Sequence, residues 1–506
     1  MYLLGLDIGT SGTKTVLFTE TGETVASCTV EYPMFQPKNG YAEQDPADWW
    51  NAVVQSIREV MSQSGVKPVD VKSIGLSGQM HGLVMLDSSD EVIRNAIIWC
   101  DQRTAAECAE ITGRVGERRL LEITANPALT GFTASKILWV RNHEPQYYER
   151  CRHILLPKDY IRFMLTGEFA TEVSDASGMQ LLDIEKRCWS DEVLSALEID
   201  KSLLGTVYES PEVTGKLSAR GAELTGLLAG TLVVGGAGDC AAGAVGTGVV
   251  RDGKAYTTIG TSGVVFAHTS KMATDLRGRV HTFCTAVPGA WHVMGVTQGA
   301  GLSLKWFRDQ FCRAESETAA LLGVDPYYIL DKQADMVPIG ADKLLYLPYL
   351  MGERTPHLDP DARGVFFGLS AMHTKNHLLR AIMEGVSYSL MDCLSIFDGM
   401  NITVQEMMAC GGGGSSSFWR QMLADVYGCP VHTVNAKEGP ALGVALLAGV
   451  GVGAYSSIEE ACAAVIRPDK TCDFDAAHHE QYQKMYGLYG TLYPAMKESF
   501  AALGQM

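Results

Sequence analysis

The chain has 506 residues, of which 46% are hydrophobic and 20% are charged, the composition of an ordinary globular protein with more than one buried core. Its formal net charge of −17 argues against nucleic acid as the main partner, although backbone amides and a metal ion can still form a local site for a small anionic ligand. The 13 cysteines include no CxxC pair, which argues against a disulfide framework or a zinc ribbon and favours reduced thiols in the cytoplasm.

The distribution of apolar residues argues against a membrane protein. Residues 1–7 lack a basic stretch followed by a long apolar one, and their pattern is typical of a strand. A long uncharged stretch, residues 439–457, is rich in Gly and Ala and predicts a helix packed in a core. We therefore expect no membrane association.

Strands and helices alternate along the chain, which predicts α/β layers. In the first half, strands are predicted at residues 2–6, 15–18, 24–27, 71–76, 83–86, 96–99 and 231–234, and helical patterns follow Pro46 and fill most of residues 104–230. In the second half, strands are predicted at residues 291–297, 344–348 and 404–409, and helices at residues 299–311, 377–396, 418–427 and 439–451.

The motif IGTSG occurs twice, at residues 8–12 and 259–263. Each copy follows an apolar strand and precedes β-type residues. Such self-similarity between the halves of a chain favours duplicated lobes. We therefore predict two lobes, residues 1–249 and residues 250–506.

The two Gly-Thr-Ser-Gly turns expose backbone N–H groups and hydroxyls, which suit phosphate oxygens. A tight hairpin explains a single loop of this kind equally well, but one loop in each half favours a nucleotide held between two lobes. Asp7 precedes the first loop and is suited to orienting water on Mg²⁺, which binds few carboxylates and keeps several waters.

Two segments of the sequence resemble nucleotide-binding motifs but depart from them at a critical residue. Residues 248–254 resemble a P-loop, but Ala255 stands where Ser or Thr would bind Mg²⁺. Residues 236–241 resemble a dinucleotide fingerprint, but Asp239 would there repel the pyrophosphate. A dehydrogenase is therefore disfavoured.

Asp239 ends a glycine run after a predicted strand and precedes a helix-like segment. An N-cap role and a catalytic role are both open, and they are compatible. A carboxylate near a helix N-terminus stays ionised and can accept a proton from a sugar hydroxyl. One such carboxylate suffices for phosphoryl transfer, which depends mainly on positioning and charge neutralisation.

Three further loops follow predicted strands. Residues 79–82, Gln-Met-His-Gly, can contact a sugar or serve the fold alone. Asp101 and Arg103 are either a structural ion pair or part of the site. Residues 411–417 predict a glycine-rich turn against which an adenosine can lie, and the flanking strand and helix disfavour the alternative of a flexible linker.

Together these residues resemble the FGGY carbohydrate kinases. The resemblance lies in residues 5–14 (GLDIGTSGTK), 43–50, 77–82 (SGQMHG), 156–160 (LPKDY), 236–246, 258–263, 349–357 (YLMGERTPH), 364–369 and 411–414. The order and number of these segments make it specific to the family, and SGQMHG is typical of members that act on D-xylulose.

The resemblance implies an α/β fold of two ribonuclease-H-like (actin-like ATPase) domains with the active site in the cleft between them. It implies transfer of a phosphoryl group from ATP to the 5-hydroxyl of D-xylulose, with Mg²⁺, and it favours a homodimer. A kinase for another ketose or polyol, such as ribulose or glycerol, is the main alternative. A non-kinase actin-like ATPase is a weaker one.

The resemblance also assigns residues by position. Asp239 is the proton acceptor, and Asp7 and Asp239 face the metal. The substrate-binding residues are Gln79, Met80, His81, Asp239 and Cys240. The nucleotide-binding residues are Thr10, Ser11, Gly12, Lys14, Gly260, Thr261, Gly301, Lys305, Gly412, Gly413 and Ser416.

Cys240 departs from the family pattern. Similar enzymes usually carry an amide residue, often Asn, directly after the catalytic aspartate, and a thiol is a weaker hydrogen-bonding group. Losing one neutral hydrogen bond costs about 0.5–1.5 kcal/mol. We therefore expect weaker sugar binding or relaxed selectivity among ketoses, with the kinase chemistry retained.

Overall fold

The fold comes from a computed structural model, which describes residues 1–436 and 438–506. The strands in chain order are β1 (Tyr2–Ile8), β2 (Gly12–Thr19), β3 (Thr24–Glu31), β4 (Glu43–Gln44), β5 (Val71–Gly78), β6 (Val84–Leu86), β7 (Ala96–Ile97), β8 (His153–Leu155), β9 (Ala170–Glu172), β10 (Leu182–Asp183), β11 (Cys188–Trp189), β12 (Thr206–Tyr208), β13 (Val213–Lys216), β14 (Leu232–Val234), β15 (Ala237–Gly238), β16 (Lys254–Ile259), β17 (Gly263–Thr269), β18 (His281–Cys284), β19 (Trp291–Thr297), β20 (Leu345–Leu347), β21 (Val365–Phe367), β22 (Glu406–Cys410), β23 (Val431–Val434) and β24 (Pro468–Cys472).

The helices surround these strands. They are α1 (Pro46–Ser64), α2 (Ala105–Val115), α3 (Glu117–Thr124), α4 (Thr133–His143), α5 (Pro145–Arg150), α6 (Pro157–Thr166), α7 (Val173–Ala176), α8 (Asp191–Leu197), α9 (Ala219–Thr225), α10 (Asp239–Gly246), α11 (Ala300–Phe311), α12 (Arg313–Leu322), α13 (Pro326–Asp335), α14 (Lys375–Gly399), α15 (Gly411–Ser415), α16 (Ser417–Tyr427), α17 (Gly439–Gly451), α18 (Ile458–Val465) and α19 (Ala476–Gly504).

Two large sheets share one topology. The strand order of the first is β13-β14-β5-β1-β2-β3, with β15 added to β5, and the order of the second is β24-β23-β22-β16-β17-β19, with β18 beyond β19. The strands that carry the motif IGTSG occupy matching positions, since β1 and β16 each form an antiparallel hairpin with the next strand. Each also pairs in parallel with a later strand, β5 or β22. The prediction of two duplicated α/β lobes is confirmed.

Helices α10 and α17 pack against each other between the lobes, and glycines set their distance. A Cβ added at Gly443 of α17 would lie 1.9 Å from the carbonyl oxygen of Ala242 in α10. A Cβ added at Gly75 of β5 would lie 1.9 Å from the carbonyl oxygen of Val444. Helix α17 therefore packs directly on the first sheet, although it belongs to the second half of the chain. The domain boundary at residues 249 and 250 stays a prediction.

Two predictions about cysteines and membranes can be compared with the fold. All 13 cysteines are free thiols. Within residues 1–436 and 438–506, every helix is too short or too polar to cross a membrane.

Candidate active site

Asp7 and Asp239 lie at the same edge of the first sheet. Strands β1, β5 and β15 run parallel, and their register aligns Asp7 with Ser77 and Ser77 with Ala237. Strand β15 ends at Gly238, so Asp239 is the first residue of α10. The Oγ of Ser77 donates a hydrogen bond to Oδ1 of Asp7 at 2.9 Å. The parallel register therefore brings two carboxylates that are far apart in sequence to one end of the cleft.

The charge of Asp7 makes Asp239 harder to ionise. Burial, with a smaller contribution from the negative charge of Asp7, raises the pKa of Asp239 to about 6. Burial also raises the pKa of Asp7, while Ser77 and Lys14 lower it. A cation between them would relieve both effects. The pair fits Mg²⁺, which needs only one or two carboxylates, and no cluster of three or more His, Cys, Asp or Glu ligands occurs in the described part of the chain.

Met80 and His81 lie beside Asp239 on the loop after β5. The side chain of Met80 covers Gly238, where an added Cβ would lie 2.9 Å from Cγ of Met80. His81 has a φ of 68°, a left-handed conformation that is unfavourable for a residue with a side chain. Its carbonyl accepts hydrogen bonds from Nζ of Lys136 at 3.0 Å and from Oγ1 of Thr133 at 3.1 Å. These bonds hold the strained loop in place.

His81 is neutral at physiological pH. Burial, followed by the positive charge of Lys136, lowers the pKa of His81 to about 3. Its Nδ1 lies 2.9 Å from the carbonyl oxygen of Gly178, which can only accept a hydrogen bond, so Nδ1 carries the hydrogen. The Nε2 atom is therefore an acceptor, which suits a sugar hydroxyl.

Gln79, which the sequence assigns to the substrate, is buried and bonded within the protein. Its side chain is only 2% exposed, and Nε2 donates to Oε1 of Gln44 at 2.8 Å. Gln44 in turn donates to the carbonyl of Thr10 at 2.8 Å. Gln79 therefore supports the first Gly-Thr-Ser-Gly loop through Gln44, and its contact with substrate stays a prediction.

Cys240 connects Asp239 to the second lobe. Its backbone N–H donates to Oδ1 of Asp239 at 2.7 Å, and its carbonyl accepts a hydrogen bond from the hydroxyl of Tyr256 at 3.2 Å. Burial, and then the neighbouring Asp239, raise the pKa of the Cys240 thiol well above its ordinary value. The thiol is therefore neutral and offers only a weak donor at the position next to the proposed base.

The first Gly-Thr-Ser-Gly loop is held by its neighbours. Oγ1 of Thr10 accepts a hydrogen bond from Nε1 of Trp99 at 2.9 Å, although the Trp99 side chain is 46% exposed. Ser11 is exposed, and Gly12 packs closely on β3. Lys14 forms an ion pair with Glu438. These four predicted nucleotide-binding residues lie outside the cavity described next.

A cavity of about 520 Å³ opens in the second lobe. It is lined by all seven nucleotide-binding residues predicted in the second half: Gly260, Thr261, Gly301, Lys305, Gly412, Gly413 and Ser416. The backbone N–H of Gly301 donates to the carbonyl of Gly260 at 2.8 Å, and an added Cβ would lie 2.4 Å from the same oxygen. Only glycine allows α11 to start so close to the loop.

The rest of the cavity lining includes aromatic and acidic side chains. Tyr327, Tyr328 and Trp419 line the cavity together with Asp325 and Asp331. Flat rings suit a purine base, and carboxylates suit ribose hydroxyls or an exocyclic amine. Strand β16 connects the cavity to the neighbourhood of Asp239. Its residue Tyr256 contacts Cys240, and its last residue, Ile259, lines the cavity. The two positions are about 10 Å apart along the strand.

Comparison with known proteins identifies the family. Residues 2–246 match the FGGY family of carbohydrate kinases, N-terminal domain, and residues 255–452 match the FGGY family of carbohydrate kinases, C-terminal domain. The chain belongs to the FGGY family of carbohydrate kinases.

Several full-length relatives of this FGGY kinase are xylulose kinases. One from Bacillus subtilis (strain 168) is 40% identical over 502 residues, which cover 99% of this chain and 98% of the relative. Another from Escherichia coli (strain K12) is 41% identical over 461 residues, covering 91% of this chain and 92% of the relative. The crystal structure of xylulose kinase from Rhodospirillum rubrum superposes with a TM-score of 0.92 at 29% identity, covering 99% of this chain and 100% of that one.

In this FGGY kinase a buried charged cluster is hydrogen-bonded to the residue before Asp239. The backbone N–H of Gly238 donates to Oγ of Ser174 at 3.1 Å, and this hydroxyl donates to Oε1 of Glu172 at 2.9 Å. Nζ of Lys158, within the LPKDY segment, lies 3.4 Å from the same Glu172 oxygen and 3.2 Å from Oδ2 of Asp175. The cluster fixes the residue before the proposed base. Sequence reasoning noted LPKDY but assigned it no role.

The structure also separates functional residues from structural ones. Asp101 is fully buried, accepts a hydrogen bond from the backbone N–H of Ala42 at 2.6 Å, and pairs with Arg103 at 2.7 Å. This ion pair serves the fold.

Sequence reasoning missed Asp325, Tyr327 and Tyr328 of the nucleotide cavity, although Asp325 before Pro326 is a helix-start signal that predicts a helix at the cavity rim. Residues 411–415 form the short helix α15 where a turn was expected.

Proposed function

We propose that this FGGY kinase transfers the γ-phosphoryl group of ATP to the 5-hydroxyl of D-xylulose, giving ADP and D-xylulose 5-phosphate. The observation that carries the proposal is the position of Asp239. It stands at the shared edge of three parallel strands, next to the loop of Met80 and His81, and one strand length from a cavity suited to adenosine. The full-length similarity to xylulose kinases supports the choice of sugar.

The proposed mechanism follows from the charges. Asp239 accepts the proton of the sugar hydroxyl as the hydroxyl oxygen attacks the γ-phosphorus, and a base with a pKa near 6 is ionised at neutral pH yet basic enough to act. Met80 and His81 orient the sugar, with Nε2 of His81 as an acceptor. The two Gly-Thr-Ser-Gly loops offer N–H groups to the phosphates.

Asp7 and Asp239 would hold Mg²⁺, which neutralises phosphate charge when bound. Asp7 then serves mainly the metal, while Asp239 serves the sugar. Thr10 would face the phosphates, and Gly301, Lys305, Gly412, Gly413 and Ser416 the adenosine. Lys14, paired with Glu438, would reach the nucleotide only after leaving that ion pair.

Cytoplasmic location and a homodimer complete the proposal. The free thiols suit a reducing compartment. Sedimentation of the purified protein would report its oligomeric state.

The sugar is tested with a coupled assay of ADP release over pentuloses, hexuloses, gluconate and polyols, including ribulose and glycerol. We expect D-xylulose to give the highest kcat/KM. A clearly higher value for ribulose or glycerol would overturn the substrate assignment. ATP turnover that no sugar stimulates would overturn the assignment as a sugar kinase.

A further inference from the structure

Arg354 is a partly buried cation on the segment between β20 and β21. Burial lowers the pKa of its guanidinium, and among the described residues it makes no ion pair with a carboxylate. Its guanidinium is hydrogen-bonded through Nη2 to Nε2 of His281 at 2.7 Å. Burying a charge without a partner costs free energy, so a ligand atom that accepts a hydrogen bond from this guanidinium would be bound favourably.

The direction of that bond can be worked out from Asn126. Nδ2 of Asn126 donates to the carbonyls of Thr124 and Thr282 at 2.8 and 2.9 Å. Its Oδ1 therefore faces Nδ1 of His281, 2.6 Å away, and Nδ1 must be the donor. Nε2 of the neutral His281 ring is then the acceptor for Arg354. This series of hydrogen bonds fixes the guanidinium through one N–H, and its other N–H groups donate to no residue that the structure describes.

His81 and His281, the hydrogen-bond partner of Arg354, flank the same aromatic pair. The ring of His81 lies 4.8 Å from that of Phe132 and 6.1 Å from that of Phe283, and the ring of His281 lies 5.7 Å from each of the two. The charge of Arg354 also contributes, after burial and Lys136, to the low pKa of His81. The guanidinium is thus close to the sugar loop.

The sugar loop relates Arg354 to the proposed base. Met80 packs on Gly238, the residue before Asp239, and His81, the next residue of the loop, lies within reach of the charge of Arg354. A sugar that meets Asp239 with its 5-hydroxyl and extends along Met80 and His81 would have its other end near Arg354.

We propose that Arg354 is a substrate-binding residue, contributed by the second half of the chain, whose free N–H groups donate to oxygen atoms at the end of the sugar away from the phosphorylated hydroxyl. Sugar oxygens are acceptors and the guanidinium is a pure donor, so the pairing needs no protonation change. The second lobe would then take part in sugar recognition as well as nucleotide binding. This inference rests on the proposed function of the site.

The test compares Arg354→Gln and Arg354→Lys with the wild type. The matched control is Arg277→Gln, an exposed arginine with no ion pair among the described residues. A hydrogen bond from a charged donor is worth enough to raise the KM for the sugar about tenfold or more in Arg354→Gln. We expect the KM for ATP and the melting temperature to stay near wild type, a smaller rise in the sugar KM for Arg354→Lys, and no change in the control.

Two outcomes would overturn the proposal. One is an unchanged sugar KM in Arg354→Gln. The other is an equal rise in the KM values for sugar and ATP with a large loss of thermal stability, which indicates that Arg354 only holds the fold. If Arg354→Gln does not fold, the affinity of Arg354→Lys for D-xylulose is measured by calorimetry without ATP. An affinity equal to that of the wild type would then overturn the role of Arg354 in sugar binding. If the wild type prefers another sugar, the substrate assignment fails, and the same variants measured on that sugar still test Arg354.

Discussion

Asp7 and Asp239 stand at the same edge of one sheet, separated by β5, and Asp7 raises the pKa of Asp239. The fold thus brings two carboxylates together at one edge of the sheet, where burial already disfavours their ionised forms. Such an arrangement is unfavourable for the isolated protein and favourable for binding a cation and a proton. The first two predictions follow from this pair.

Asp239→Asn should abolish sugar phosphorylation while nucleotide binding persists. An amide cannot accept the hydroxyl proton, and loss of a general base lowers kcat by about 10²–10⁴-fold. The measurement is ADP release with D-xylulose, paired with calorimetric binding of an ATP analogue. Near-normal kcat would refute the base assignment. Asp252→Asn, at an exposed aspartate of the second half, is the control and should leave kcat unchanged.

The same variant should be more stable than the wild type above pH 6. The folded pKa of Asp239, about 6, exceeds its ordinary value, so the folded state binds the proton more tightly than the unfolded state. Ionisation therefore costs stability as pH rises from about 4 to about 6, and the full cost is present above that range. Melting curves without metal should show a difference between Asp239→Asn and wild type that grows over this range and then levels off. A difference independent of pH would contradict the shift.

Gly301→Ala should weaken ATP binding specifically. Its new Cβ would lie 2.4 Å from the carbonyl oxygen of Gly260, so α11 or the loop must move, and both line the nucleotide cavity. We expect the KM for ATP to rise about tenfold or more, because misplacement by a fraction of an ångström disturbs several contacts. Gly487→Ala on α19, where an added Cβ meets nothing within 4 Å, should leave it unchanged. Equal KM values for ATP in both variants would contradict the assignment of this cavity to nucleotide binding.

Cys240→Asn should improve sugar affinity. The amide supplies a stronger hydrogen-bond donor and acceptor than the neutral thiol beside Asp239, and one regained bond corresponds to a decrease in the KM for D-xylulose of about two- to tenfold. Cys240→Ala should behave like the wild type. An unchanged or higher KM in Cys240→Asn, with normal folding, would show that this position does not contact the sugar.

Gly443→Ala should destabilise the protein. The added methyl would lie 1.9 Å from the carbonyl oxygen of Ala242, and helices α10 and α17 would have to separate. Overpacking of this kind costs about 1–3 kcal/mol, measurable as a lower denaturation midpoint. Gly490→Ala on α19, where an added Cβ meets nothing within 4 Å, is the control. Wild-type stability in Gly443→Ala would mean that the two helices tolerate a wider spacing.

Sequence alone determined the architecture. Apolar runs and glycine turns are local signals, and the motif IGTSG recurs because each lobe needs the same hairpin. For this reason the duplicated α/β sheets, the strand end before Asp239 and the glycines of the nucleotide cavity could all be predicted from their immediate neighbours in the chain.

Tertiary structure decided the rest, because it depends on residues far apart in sequence. Gln79 turns inward since Gln44, from another segment, occupies its amide. Lys158 and Ser174 act on Asp239 only through a buried network, and Arg354 bonds to His281 only because β18 and the segment after β20 meet there. Periodicity and motifs report which face of an element is buried, but not which distant side chain completes a hydrogen bond or leaves a charge unpaired.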